Sequence, residues 1–182
     1  MNLKSLVARL NPQTRNALEG AAALTLSRTN YDVEPEHWLL RLAEDQSGDV
    51  AAILAHFECD TGRLTAQLNG LLEKLKTGNG RAPALSPRLV RWAREAWLDA
   101  SIDHEEEVVR SGHLLTALLA DRELGGAIRE AAPELRRIRA DVLAAELGAI
   151  TRSSSESSGS ERPVGASESG LPAARGTKAL DT

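Results

Sequence analysis

The sequence is poor in cysteine and in aromatic residues, and these two shortages restrict the fold. Its one cysteine, Cys59, excludes an intramolecular disulfide and is typical of a protein in a reducing compartment. Aromatic residues make up 3% of the chain, whereas leucine and alanine recur throughout. This composition favours helices packed on helices over β-structure, so we expect an all-α body.

Long apolar runs and an excess of positive charge are also lacking. No apolar run approaches 18 residues, and the N-terminus has no signal-peptide core, so we expect no membrane partner and a cytoplasmic location. The formal net charge is −4. An acidic body argues against wrapping nucleic acid, whose phosphates require a basic face.

Motifs for nucleotide and metal chemistry are missing as well. No glycine is followed directly by lysine, so the phosphate-binding P-loop pattern is absent. One cysteine and four scattered histidines provide no metal-ligand spacing. We therefore expect neither a cofactor nor a metal in this chain. A hydrolase that uses Cys59 or His104 remains an alternative only if folding brings catalytic partners next to them.

The C-terminal part of the chain differs from the rest in composition. Residues 151–182 hold eight serines, four glycines and two prolines, with only three large aliphatic residues. Such a segment cannot bury a core. We predict a folded domain over residues 1–150, followed by a disordered Ser/Gly-rich linker over residues 151–182.

Two helix-start patterns recur within the predicted domain. Asn11-Pro12 and Ser86-Pro87, 75 positions apart, each place a capping side chain before a proline suited to the first helical turn. The segment HWLLRLAED at 37–45 aligns with HLLTALLAD at 113–121, 76 positions later.

Because these offsets agree within one residue, they indicate a tandem duplication. We predict a repeat over about 11–76 and a second over about 85–150. Each would be a four-helix unit, and together they would pack as one pseudo-two-fold body with an extra helix at the N-terminus.

The extra N-terminal helix contains the first candidate binding residues. They share one apolar stripe at helical spacing, and they are Leu3, Leu6, Val7 and Leu10. This helix either packs across the repeats as a lid or forms one wall of a groove for a partner's amphipathic helix. The pseudo-symmetric packing places the opposite wall at Leu85, Leu89 and Trp92.

Other conspicuous residues have a structural and a functional interpretation. Trp97 lies on an apolar stripe and is interpreted as core, whereas Trp92 lies off it and either packs or serves as a partly exposed anchor. His37 and His113 occupy equivalent helix starts, where hydrogen bonding is favoured over catalysis. The acidic run at 103–107 is interpreted as solvated surface or as a region that steers a basic partner.

The duplicated segments resemble a known domain family. The residues that carry the resemblance are Leu10-Asn11-Pro12, Leu26-Ser27-Arg28-Thr29, Glu36-His37-Trp38-Leu39-Leu40, Leu85-Ser86-Pro87 and Arg110-Ser111-Gly112-His113-Leu114-Leu115. Their pattern resembles the Clp N-terminal double repeat of AAA+ unfoldases. Within that family it is most similar to the ClpV (TssH) branch, the ATPases of bacterial type VI secretion.

The resemblance implies a binding domain and not an enzyme. In the ClpV branch, the N-terminal domain recognises an N-terminal helix of the large sheath subunit (TssC/VipB-like), and the ATPase ring then disassembles the contracted sheath. The full-length protein would be a hexamer that binds ATP in separate ATPase modules, whereas the isolated domain would be monomeric. The alternative within the family is a general Clp/Hsp100 N-domain that binds unfolded clients or adaptors.

Overall fold

Ten α-helices account for most of residues 2–160, the part of the chain that the computed structural model describes. In chain order they are α1 (Leu3–Ala8), α2 (Pro12–Ser27), α3 (Pro35–Glu44), α4 (Asp49–His56), α5 (Thr61–Leu72), α6 (Pro87–Leu98), α7 (Ser111–Ala120), α8 (Arg122–Ala131), α9 (Ala140–Ile150) and α10 (Ser155–Ser160). The remaining elements are two short strands, β1 (Asp32–Val33) and β2 (Ala84–Leu85), a π-helical turn (Asp99–Asp103) and a 3₁₀ turn (Pro133–Arg137). The predicted all-α fold class is confirmed.

The first helix of each repeat begins at its predicted cap. The Asn11 side chain accepts a hydrogen bond from the Thr14 backbone N–H at 2.9 Å, at the start of α2. The Ser86 hydroxyl accepts one from the Leu89 backbone N–H at 3.1 Å, at the start of α6. A proline occupies the first turn in both helices. These contacts confirm that the recurring patterns start helices.

The two repeats are joined by a crossed pairing of short backbone segments. Strands β1 and β2 run parallel, with Val33 opposite Leu85. Leu10 forms the corresponding parallel bridge with Val109. In each case the next N–H, after Leu10 or Leu85, donates to the opposite carbonyl at 3.0 Å. The segment before the first helix of each repeat therefore pairs with the other repeat, as pseudo-two-fold packing requires.

Two tryptophans, one from each repeat, fill the space between the repeats. The rings of Trp38 and Trp92 meet edge to face, with centroids 5.2 Å apart, and both side chains are buried. Each indole N–H donates to a backbone carbonyl, that of Thr14 at 3.1 Å and that of Leu114 at 2.7 Å. The interpretation of Trp92 as a partly exposed anchor is therefore wrong, because Trp92 lies three residues after Leu89 on the buried face of α6, which is directed at the other repeat.

His37 and His113 have the same structural role at the starts of α3 and α7. Nδ1 of each ring accepts a hydrogen bond from the backbone N–H three residues earlier, that of Glu34 at 2.9 Å and that of Arg110 at 3.0 Å. Burial lowers the pKa of His37 to about 4 and the pKa of His113 to about 3, so both rings are neutral at pH 7. These contacts confirm the hydrogen-bonding role.

The folded body continues past the predicted boundary at residue 150. The Glu156 side chain is 1% exposed. Its carboxylate accepts hydrogen bonds from the backbone N–H groups of Asp49 at 2.6 Å and Ser111 at 2.8 Å, the first residues of α4 and α7. The prediction of a linker starting at residue 151 is therefore wrong, since a buried carboxylate fixes this segment to two helix N-termini. The rest of the predicted linker, 161–182, lies outside the described residues.

A second buried carboxylate, that of Asp49, completes a charged cluster at this place. Arg110 donates to both of its oxygens, at 2.9 and 2.8 Å, and the Gly112 backbone N–H donates at 3.1 Å. A Cβ at Gly112 would lie 2.9 Å from the same carboxylate, so this approach requires glycine. The Asn11 amide donates to Glu156 at 2.9 Å. The cluster thus ties both repeats to the C-terminal segment.

Substituting Glu156 by alanine is expected to destabilise the fold by about 3 kcal/mol or more, because several buried donors lose their acceptor. Urea unfolding measures the change in the free energy of unfolding. Ser153→Ala, at an exposed position of the same segment, is the control and should change it by less than about 0.5 kcal/mol. A similarly small effect of Glu156→Ala would contradict the buried role of this carboxylate.

The free energy of unfolding is expected to fall as the pH is lowered from 6.5 towards 4. A histidine whose pKa is lower in the folded state binds protons more readily when unfolded, so its contribution is present above pH 6.5 and is lost below it. For His37 the loss is at most about 3 kcal/mol, at 1.36 kcal/mol per pKa unit.

Chemical denaturation of the wild type and of His37→Gln over this pH range tests the expectation. The variant should lose less stability, since glutamine takes up no proton. Asp99, whose pKa burial raises to about 6, acts in the opposite direction in both proteins and cancels in the comparison. Equal losses in the two proteins would show that His37 does not contribute.

Candidate functional site

An apolar crevice lies between α1 and the start of α6. Its lining side chains are all apolar, and they are Leu3, Leu6, Val7, Leu10, Leu18, Trp38, Leu85, Leu89, Val90 and Ala93. One wall comes from α1 and the residues after it, and the opposite wall comes from β2 and α6. The crossed pairing of the repeats therefore brings the two walls together.

The crevice has a buried floor and a partly exposed rim. The floor includes side chains that are 1–2% exposed, namely Leu6, Leu10 and Leu89. The rim consists of Leu3, which is 44% exposed, and the half-buried Val7, Leu85 and Val90. The open space is about 10 Å³, close to the volume of one water-sized sphere. In this conformation a partner would contact the rim and would not insert between the walls.

Six of the seven predicted binding residues line this crevice. Trp92 does not, because its side chain lies in the contact between the repeats. Sequence reasoning missed Val90 on the rim, although Val90, Ala93 and Trp97 follow at helical i, i+3 and i+7 spacing. The role of the six residues in binding a partner stays a prediction. The structure places Leu3, Val7 and Leu85 on the rim of the crevice and Leu6, Leu10 and Leu89 on its floor.

Helix α1 is held firmly enough to serve as a wall. At its start the Asn2 side chain accepts a hydrogen bond from the Ser5 backbone N–H at 2.8 Å. After its end, the Arg9 carbonyl accepts one from the Val109 backbone N–H at 2.7 Å, and the Arg9 guanidinium lies 4.7 Å from the centre of the Trp97 ring. Trp97, which we interpreted as a core residue, is half-buried and packs against the edge of the core.

The candidate nucleophile is in an unreactive environment. Cys59 is half-buried, with its Sγ 3.6 Å from the Glu134 carbonyl oxygen. Burial raises the pKa of the Cys59 thiol to about 11, so the thiolate, which is the nucleophilic form, is scarce at pH 7. His104 Nε2 lies 3.7 Å from Asp99 Oδ2, beyond hydrogen-bond distance.

Within residues 2–160, His, Cys, Asp and Glu side chains form no group of three or more that could hold a metal ion. The helices found there are too short or too polar to cross a bilayer.

Comparison with protein families identifies the domain. Residues 9–162 match the Clp repeat N-terminal domain. The chain belongs to this family. The resemblance inferred from the duplicated segments is confirmed, and the match covers both repeats and the buried Glu156, whereas α1 lies before it.

The chain is similar to a chaperone protein over most of its own length. Chaperone protein ClpB of Yersinia enterocolitica is 30% identical over 153 residues, which are 84% of this chain. The match spans 17% of the length of that ClpB.

Solved structures of Clp N-terminal domains share this fold. The N-domain of ClpV from Vibrio cholerae matches with a TM-score of 0.77 and 30% identity, over 86% of this chain and 93% of that one. A ClpV N-domain in complex with a VipB peptide matches with a TM-score of 0.73 and 30% identity, over 86% and 95% of the two chains. Both matches confirm the similarity to ClpV N-domains.

Proposed function

We propose that this chain is the partner-recognition domain of a ClpV-like AAA+ unfoldase. It binds an N-terminal helix of the large subunit of the contracted type VI secretion sheath, and the unfoldase then disassembles the sheath. The observation that carries the proposal is the apolar crevice between α1 and α6. Similarity to a ClpV N-domain solved with a VipB peptide supports it.

In this proposal the domain recognises the partner, and other modules of the whole protein carry out the ATPase reaction. The chain binds protein and catalyses no reaction, and it needs neither metal nor cofactor. ATP binding and hydrolysis belong to the ATPase modules of the whole protein. That protein works in the cytoplasm as a hexamer, whereas the isolated domain is monomeric and contacts neither nucleic acid nor membrane.

The rim of the crevice suits an amphipathic helix that binds with moderate affinity. Full burial of an aliphatic side chain contributes about 1.5–3 kcal/mol. The rim residues are already partly buried in the free domain, so covering each of them on binding contributes only a part of this free energy. Association and ordering cost several kcal/mol. We expect a dissociation constant of about 1 μM, equivalent to about −8 kcal/mol. A ring of identical subunits would strengthen this contact through avidity.

A general Clp N-domain function, binding unfolded clients or adaptors, is the second candidate. The 30% identity to ClpB favours it. An unfolded chain is bound best by a broad apolar surface, whereas the rim between α1 and α6 is narrow. Comparing the affinity for a VipB N-terminal peptide with that for an unfolded casein separates the two functions.

Val7→Asp is expected to weaken binding of a labelled VipB N-terminal peptide at least tenfold, because it places a charge on the apolar rim. Fluorescence anisotropy measures the affinity, and circular dichroism establishes that the variant is folded. Leu26→Asp, at a 56% exposed position of α2 outside the crevice, is the matched control and should bind normally.

Unchanged peptide affinity in folded Val7→Asp would remove the crevice as the binding site. Tighter binding of casein than of the peptide would instead favour the second function.

A further inference from the structure

A second, wider cleft lies between α6 and α7 and shares none of its lining residues with the crevice. Its volume is about 410 Å³. Two large apolar side chains on its edge are strongly exposed, Leu98 at 43% and Ile102 at 68%. Exposed aliphatic side chains beside a concave surface are typical of a protein-binding site.

Carboxylates surround these apolar side chains. Glu95 and Asp103 line the cleft, are exposed, and form no ion pair within residues 2–160. The buried Oδ2 of Asp99 accepts no hydrogen bond from the described residues. Burial raises the pKa of Asp99 to about 6, although His104 Nε2 lies 3.7 Å from this oxygen and acts in the opposite direction. Asp121 differs, because Arg91 pairs with it at 2.9 Å. The cleft is therefore apolar and negatively charged at once.

The duplicated fold shows which side chain suits this place. At the offsets that align the repeats, Glu95 corresponds to Gly20 of α2 and Ala117 corresponds to Arg41 of α3. In repeat 1 the Arg41 side chain covers Gly20. Its Cδ lies 3.5 Å from the point that a Cβ would occupy if residue 20 were not glycine, and its Nε–H donates to the Gly20 carbonyl at 3.4 Å. Repeat 2 has neither the arginine nor the glycine. Ala117 is too short to fill the space that Arg41 occupies in repeat 1, and Glu95 places a carboxylate side chain where repeat 1 has glycine.

We propose that the cleft between α6 and α7 is a docking site for an arginine-bearing amphipathic segment of a partner protein. The partner's guanidinium takes the place that Arg41 occupies in repeat 1 and pairs with Glu95 and Asp103. Apolar neighbours of that arginine cover Leu98 and Ile102. Arginine suits the site because its planar fork binds carboxylates while its stem packs on apolar surface. Charge complementarity selects a basic segment over an acidic one.

The probe is a labelled helical peptide of leucine, alanine and arginine, with a matched peptide in which citrulline replaces arginine. Fluorescence anisotropy with the full chain is expected to show binding of the arginine peptide, and at least tenfold weaker binding of the citrulline peptide. Equal affinities would overturn the proposal, since citrulline has nearly the same shape but no charge.

Variants of the protein locate the contact. Glu95→Gln combined with Asp103→Asn should weaken the arginine peptide at least tenfold, and both positions are exposed, so the fold should persist. Glu58→Gln combined with Glu73→Gln removes the same charge at exposed positions elsewhere and is the matched control. An equal loss in both pairs would show a long-range charge effect only and would overturn the proposed site.

Two further variants separate this cleft from the crevice. Ala117→Arg places in the cleft the arginine side chain that repeat 1 has at the corresponding position. Because this side chain would occupy the site of the partner's arginine, it should abolish binding of the arginine peptide. Val7→Asp should leave that binding unchanged even though it weakens the VipB peptide. The reverse pattern, with loss in Val7→Asp and full binding in folded Ala117→Arg, would assign the arginine peptide to the crevice and overturn the proposal.

Discussion

The crossed pairing of Leu10 with Val109 and of Leu85 with Val33 is the constraint on which the candidate site depends. Leu10 comes just after α1, and Leu85 comes just before α6, so pairing each with the opposite repeat brings these two helices side by side. The tryptophans behind the pairing fill the interior and satisfy their own N–H groups. Since one wall comes from α1 and the residues after it and the other comes from β2 and α6 of the second repeat, the crevice exists only when the two repeats are packed together.

Burial of two carboxylates beside one arginine is stable because each charge has several partners. Asp49 accepts both donors of a bidentate guanidinium, and Glu156 accepts backbone N–H groups at the positive ends of two helices. Removing one member leaves its own buried partners without an acceptor or a donor, which costs more than the intact pair contributes. The cluster also fixes where the C-terminal segment meets the body, next to α4 and α7.

Duplication supplied a common frame, and substitution then gave its two halves different surfaces. The capping residues and the imidazoles that accept a backbone hydrogen bond are retained in both repeats. By contrast, the pair Gly20 and Arg41 closes the space in repeat 1 that Glu95 and Ala117 leave open in repeat 2. A similar backbone therefore presents an arginine over Gly20 in repeat 1 and an acidic cleft at the corresponding place in repeat 2.

Helix starts, the duplication and the apolar stripe of α1 were determined by the sequence alone, because capping and amphipathic spacing act over three or four neighbouring residues. Six of the seven candidate residues could be placed in one crevice by extending this logic to pseudo-symmetry. Only the tertiary structure decided which of them are floor and which are rim, that Trp92 faces the other repeat, and that Glu156 is buried. Burial depends on contacts between distant residues, such as Asn11 and Glu156, which are 145 positions apart, and a serine-rich stretch carries no local sign of them.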